Sequence, residues 1–447
     1  MDLTTRVMRP FVDVRKREAG PALLFFLFWF FVIVVFQALR PLKKGLFVEH
    51  LGADLELYAK LTNIIVAIVA VVLFSWLYHK LGSRRLIPTL CAFFIVALLG
   101  FAALLGGGGV PAPAVNWSFY LFGDAWSTVW VTAFWAYLTE LTRTDQSKRL
   151  YGLIGAGGVI GGLLANFAVW QYVESQGIGV LLAGAAVVTA LIGVIMWRLE
   201  VTAARPGAPL KRQDVDRLGL HQRRKLPEKR HPALEGAHLV THSRYLFAIA
   251  MIMFLYEINS QILDYQFSTA AEALEGAEGT QAFFGRIGTI VGVISVVTQL
   301  FLVSFIIRKW GVKSALLVLP AAMAAASGIY FAVPMLTTAA LLTISDNSFN
   351  YSINQTARET LFVPTASNVK YKARAFINMF IQRLGKGAAI LMALAFGVLG
   401  GVPIRYLSLL AFAVIVVWVG FAWYAGRRFD AATGDDAEER QQEGALT

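Results

Sequence analysis

The chain has 447 residues, 57% of them hydrophobic and 15% charged, with a mean hydropathy of +0.61; this is too apolar for a soluble enzyme of its size and places it in a bilayer. A net charge of +12 would point a soluble chain toward nucleic acid, but here Arg and Lys concentrate in alternate loops, where they set membrane topology instead. The single cysteine, Cys91, lies inside an apolar run, so disulfides and cysteine-ligated metals drop out.

Apolar runs of about 20 residues cross a hydrocarbon core of roughly 30 Å as helices, because in lipid the backbone must satisfy its own hydrogen bonds. Twelve such runs are predicted: 21–43, 57–78, 86–105, 115–141, 150–173, 178–197, 245–267, 284–307, 314–333, 335–362, 374–399 and 402–425. The expected fold is therefore an all-α integral membrane protein with twelve transmembrane helices.

The first run follows Arg15, Lys16 and Arg17, like the opening of a signal peptide. No small-residue cleavage site follows 25–36, and the chain continues into Arg40 and Lys43, which predicts a retained helix. Arg40 and Lys43 stand at i and i+3; they either face a cavity or snorkel to the interface. The second run ends in Lys80, Gly82, Arg84 and Arg85. In the fourth run Asp124, Thr128 and Thr132 recur every four residues. Beside them Trp126, Trp130 and Trp135 either stack on a substrate ring or serve as ordinary aromatics of the interface. The fifth run carries Gly155, Gly157, Gly158, Gly161 and Gly162 without the Lys and Ser/Thr of a phosphate loop or a preceding strand, so close helix packing is expected.

After the sixth run comes the long polar segment 200–243, with Arg223, Arg224, Lys225, Lys229 and Arg230. It reads as a cytoplasmic connector, with a regulatory or anionic-lipid role as the alternative. The six histidines lie in loops or at helix ends, without metal-ligand spacing. In the seventh run Glu257, Gln261 and Asp264 share one helical face. The eighth ends in Lys309, Gly311 and Lys313, matching the basic glycine turn after the second. Together with the polar faces of the fourth and tenth runs, this predicts two pseudo-symmetric six-helix halves of major-facilitator type. The domains are 1–199, the linker 200–243, the second half 244–428 and a disordered tail 429–447.

The tenth run is the most informative, since Asp346, Asn350, Asn354 and Arg358 recur every four residues inside apolar sequence. A polar stripe in a membrane helix is costly unless it lines a bundle interior or a water-filled path. The eleventh run adds Arg383 and Lys386 at i and i+3. Arg as a bidentate fork and Lys as a point charge suit an anionic substrate where the dielectric is low. The acids Asp124, Glu257, Asp264 and Asp346 are then candidates for coupling or gating, and the plain alternative is that acids and bases pair across helices to fix packing. A membrane transferase or a non-transporting scaffold are the rival classes. No metal, cofactor or nucleic acid is called for, and a monomer is expected. Both termini are predicted to be cytoplasmic, in an inner (plasma) membrane, because the basic loops share one side while the loop 106–114 is uncharged and Glu272, Glu275 and Glu278 stand on the other.

The segment with Asn350, Tyr351 and Ser352, the stretch 358–364 (RETLFVP), the stretch 369–376 (VKYKARAF) and the group Arg383, Leu384, Gly385 and Lys386 resemble the signature of the ATP/ADP translocases of plastids and intracellular bacteria. The stretch 39–43 (LRPLK) before Gly45 is similar to that family's first-helix motif, and the resemblance puts Lys43 where the family has a substrate-phosphate lysine. Asp124 matches a family glutamate before a Trp two residues on, and Asp264 a glutamate of the seventh helix. The stretch 148–152 (KRLYG) also fits. The resemblance implies a twelve-helix nucleotide exchanger working by alternating access, with Arg40, Lys43, Asn350, Asn354, Arg358, Arg383 and Lys386 toward the substrate. Both matched glutamates are aspartates here, and Asn350 stands where the family has a lysine. A second phosphorylated or anionic metabolite, proton-coupled through Asp264 or Asp346, therefore stays open.

Overall fold

A computed structural model of the protein describes residues 18–107, 109–142, 144–203, 232–272, 279–365, 369, 373–374 and 376–445. The basic residues 15–17, the linker's 204–231, Glu275, Glu278, Lys370 and Lys372 lie outside them. The described chain is almost wholly helical. In order it runs α1 Ala19–Leu51, α2 Ala53–Leu105, α3 Pro113–Leu141, α4 Thr144–Ala203, α5 Pro232–His242, α6 Arg244–Glu272, α7 Thr280–Val297, α8 Val303–Ala332, α9 Leu336–Phe349, α10 Gln355–Leu361, α11 Gln382–Ala393 and α12 Leu407–Ala445. Among the described residues nine stretches are helical, long and apolar enough to cross a membrane. One of them, Leu153–Thr202, spans 50 residues and turns at Gly177, whose φ of 78° only glycine adopts without strain. Gly311 (φ 77°) makes the same break inside α8, at the second basic glycine turn. The last helix continues to Ala445, through the tail whose polarity reads as disorder. Its Ala, Glu, Gln and Arg residues are strong helix formers, and a turn already wound in α12 spares them the cost of nucleation.

The chain forms two compact units, Met1–Leu51 with Thr62–Leu226 and Glu275–Thr289, and Gly52–Leu61 with Pro227–Leu274 and Ile290–Thr447. The helix boundaries do not coincide with the unit boundaries. The first turns of α2 belong to the second unit and the first turns of α7 to the first.

In the first unit α1 lies along α4 and beside α3. The glycines of α4 explain how closely. A Cβ on Gly157 would sit 2.7 Å from the Phe26 carbonyl oxygen, and one on Gly161 would sit 2.6 Å from that of Phe30. Lipid supplies no hydrophobic drive between helices, so close backbone approach of this kind is what holds them. Phe28, Trp126, Trp130 and Phe134 fill the core beside that seam. Trp126 and Trp130 are fully buried and Trp135 is partly exposed, which makes the first two packing residues.

In the second unit α6 is the central element, packed by α5, α9, α11 and α12. Its polar residues bond outward on several sides. Asn259 Nδ2 donates to the Ala411 carbonyl at 3.0 Å and Gln266 Nε2 to Ser408 Oγ at 3.0 Å, both on α12. On the outside of both units large apolar side chains stand exposed, Val96 and Val416 at 71% among them, as a lipid-facing surface requires.

Candidate functional site

In the first unit Pro41 inside α1 marks the stretch carrying Arg40 and Lys43. Lys43 is buried and forms an ion pair with Asp124 of α3. Its ammonium also stands 4.3 Å from the centre of the Tyr120 ring, one turn earlier on α3, a cation–π contact strengthened where water is excluded. Room for the lysine stem comes from Gly123, where a Cβ would meet Lys43 Cδ at 2.7 Å. Arg40, three residues earlier, is exposed.

The second unit carries its polar residues along α6. Glu257 is buried, accepts a 2.7 Å hydrogen bond from Gln382 Nε2 of α11, and lies 3.8 Å from Lys386 Nζ. Arg383 is exposed. Asp264 pairs with Lys60 at 2.6 Å, and Lys60 also reaches Glu56 at 3.3 Å. Sequence reasoning missed Lys60 and Glu56. Their signal is a Glu to Lys pair at i and i+4 that straddles the start of the second apolar run, Glu56 just before it and Lys60 just inside it. The same segment is tied twice more to α6, by the Tyr265 hydroxyl donating to Asp54 Oδ1 at 2.5 Å and by the Ala53 backbone N–H donating to Glu272 Oε2 at 3.0 Å.

The polar stripe of the tenth run faces α6. Asp346 is buried and accepts from Ser260 Oγ at 2.5 Å. Asn354 donates to Asn350 Oδ1 at 3.0 Å. Arg358 lies against Met253 Sδ and has its guanidinium 5.5 Å from the centre of the Tyr256 ring. Four-residue spacing overshoots a 3.6-residue turn, so in an unbroken α-helix the stripe would drift by about 40° at each step. The π turn Asn350–Asn354 lies in the middle of it; its wider turn undershoots, pulling the stripe back toward one side.

The expected residues thus fall into groups: Lys43 with Asp124 in the first unit, and in the second Glu257 with Lys386, Asp264 with Lys60, and Asp346 with the stripe. Among the described residues no three His, Cys, Asp or Glu side chains gather as metal ligands. His238 and His242 stack on each other with ring centres 3.8 Å apart.

A family model of TLC ATP/ADP transporters matches residues 106–429, and one of the major facilitator superfamily matches residues 3–166. The chain belongs to the TLC ATP/ADP transporter family. ADP,ATP carrier protein 1 of Chlamydia muridarum is 23% identical over 98% of this chain and 95% of its own length. ADP,ATP carrier protein 2, chloroplastic, of Arabidopsis thaliana is 22% identical over 94% and 76%. The fold is a major-facilitator one. The nucleoside transporter NupG superposes with a TM-score of 0.57 over 92% of this chain and 98% of its own, at 14% identity. A D-xylose-proton symporter gives 0.59 over 91% and 98%, also at 14% identity. The family match takes in α3, with Asp124, and every residue of the tenth-run stripe.

Proposed function

We propose that this multi-pass membrane protein of the TLC family is an antiporter that exchanges ATP-type and ADP-type nucleotides by alternating access. The observation that carries the reading is a lysine facing an acid in each unit, the buried Lys43 paired with Asp124 and the more exposed Lys386 3.8 Å from the buried Glu257. A cation buried alone is prohibitively costly, so a site for a phosphate chain must keep its cations paired when empty. An entering polyphosphate takes the cations over, with charge-assisted bonds stronger than neutral ones. In this reading Arg40, Lys43, Arg358, Arg383 and Lys386, with Asn350 and Asn354, serve the nucleotide, and Asp124, Glu257, Asp264 and Asp346 serve the switch between states. Twelve spans form two six-helix halves, with both termini cytoplasmic in the inner membrane.

The test is counter-exchange in proteoliposomes. Labelled ATP should enter only when the vesicles hold ADP or ATP. Lys43→Ala and Lys386→Ala should each weaken nucleotide binding by about tenfold or more, the loss expected for a hydrogen bond to a charged group. Unchanged binding in single variants at Lys43, Arg383 and Lys386 sinks the assignment of those cations. A second reading is uptake of another anionic metabolite coupled to protons. It is favoured by Asp346, buried and bonded to the neutral Ser260 instead of to a cation, an arrangement that tolerates a protonated acid. Uptake into empty vesicles, driven by a pH difference and blocked by Asp346→Asn, would establish it instead.

A further inference from the structure

Away from these residues, a groove of about 620 Å³ opens in the second unit between the start of α6, the end of α5 and α12. Its lining changes character along its length. Phe247 and Phe421, whose rings meet edge to face with centres 6.1 Å apart, and Val417 supply apolar wall. Arg244 and Arg428, with Thr241 and Tyr424, stand where α6 begins and where the apolar part of α12 gives way to charge. Both arginines are exposed, and among the described residues neither forms an ion pair with a carboxylate and no acidic side chain lines the groove. Arg428 rests only against the ring of its own helix's Tyr424, 5.7 Å from its centre. Gly420 lies in the apolar part, and a Cβ there would meet no atom within 4 Å. Phe247 and Val417 are 42% and 50% exposed, as befits helices that face lipid.

We propose that this groove binds one anionic glycerophospholipid, its phosphate between Arg244 and Arg428 and an acyl chain along Phe247, Val417 and Phe421 over Gly420. Two unpaired cations at the end of a span fit a phosphodiester at headgroup depth, and the apolar wall running from them along the span fits the chain attached to that phosphate. A free anion would use only the basic end, and a zwitterionic lipid would bring its own cation to the two arginines.

The full-length protein, delipidated in detergent, is titrated with phosphatidylglycerol, with phosphatidylcholine of the same acyl chains, and with glycerol 3-phosphate, reading melting temperature and bound lipid by native mass spectrometry. Phosphatidylglycerol should bind and stabilise; the other two should not. Arg244→Gln should weaken phosphatidylglycerol about fivefold and the double variant with Arg428→Gln about thirtyfold, one headgroup cation at a time. Gly420→Leu, which fills the chain's place and leaves both arginines intact, should weaken it as well; it improves helix propensity, so it keeps the test open should the double variant fail to fold. Equal binding of phosphatidylcholine, stabilisation by glycerol 3-phosphate alone, or undiminished phosphatidylglycerol binding in Gly420→Leu or in the folded double variant overturns the proposal. Nucleotide binding is measured alongside and should stay unchanged in every variant, so the outcome is independent of the transport reading.

Discussion

At Asp264 a single carboxylate bears on two kinds of event. It accepts from Lys60 at 2.6 Å and stands two turns along α6 from the buried Glu257. A carboxylate repels phosphate, so the role proposed for Asp264 is to hold a cation in one state and release it in another. Asp264→Asn should therefore leave nucleotide affinity within a few-fold of wild type and slow exchange, which equilibrium binding and vesicle flux measure separately. If the folded Asn variant loses binding altogether, Asp264 belongs to recognition; if it exchanges at the wild-type rate, the pair with Lys60 is structural. The acids of the site were legible in the sequence because a carboxylate inside an apolar run stands out whatever its neighbours. Their partners were only half legible. The lysine of Asp264 lies 204 residues away, and no helical period within α6 points to it.

Periodicity settled most of the elements. Apolar runs became helices because lipid leaves the backbone no other way to satisfy itself, and the α4 glycines, read as packing residues, meet the α1 backbone directly. What period 3.6 cannot show is a departure from it. The π turns Thr298–Leu302, Asn350–Asn354, Ile377–Ile381 and Leu394–Leu399 depend on how neighbouring helices pack, and the one in the polar stripe changes which side chains share a face. The α1 and α4 seam yields a direct check. A Cβ at Gly161 would lie 2.6 Å from a backbone oxygen, which cannot rotate away as a side chain can. Gly161→Ala should thus force the helices apart despite its better helix propensity, at a cost of about 1–3 kcal/mol. It should appear as a lowered melting temperature in detergent. Gly155→Ala, one to two turns earlier on the same helix with nothing within 4 Å of its Cβ, should be neutral or slightly stabilising.

For the whole molecule the number of crossings decides where the termini lie. Nine described stretches are apolar helices of spanning length. Leu153–Thr202 is 50 residues long, about 75 Å as helix, which is two crossings of a roughly 30 Å core with the turn at Gly177 between them. The helices Pro113–Leu141 and Leu336–Phe349, the latter continued by its π turn and α10, carry the two polar faces; if they also cross, the total is even and both termini lie on one side. The basic residues choose that side. Arg84 and Arg85, Lys309 and Lys313, and Arg427 and Arg428 fall at alternate ends of successive spans, whereas the loop 106–112 has no charge. Chemistry offers a clean probe, since the only cysteine, Cys91, is buried and can be replaced by Ala. A cysteine placed at Gly109, where added atoms meet nothing within 4 Å, should react with an impermeant maleimide applied outside intact cells. One placed at Arg428 should react only after the membrane is opened. Labelling of Gly109→Cys from the cytoplasmic side alone would reverse the orientation, and labelling of the two positions from the same side would break the alternation of basic and uncharged ends, and with it the even count on which the shared side of the termini depends.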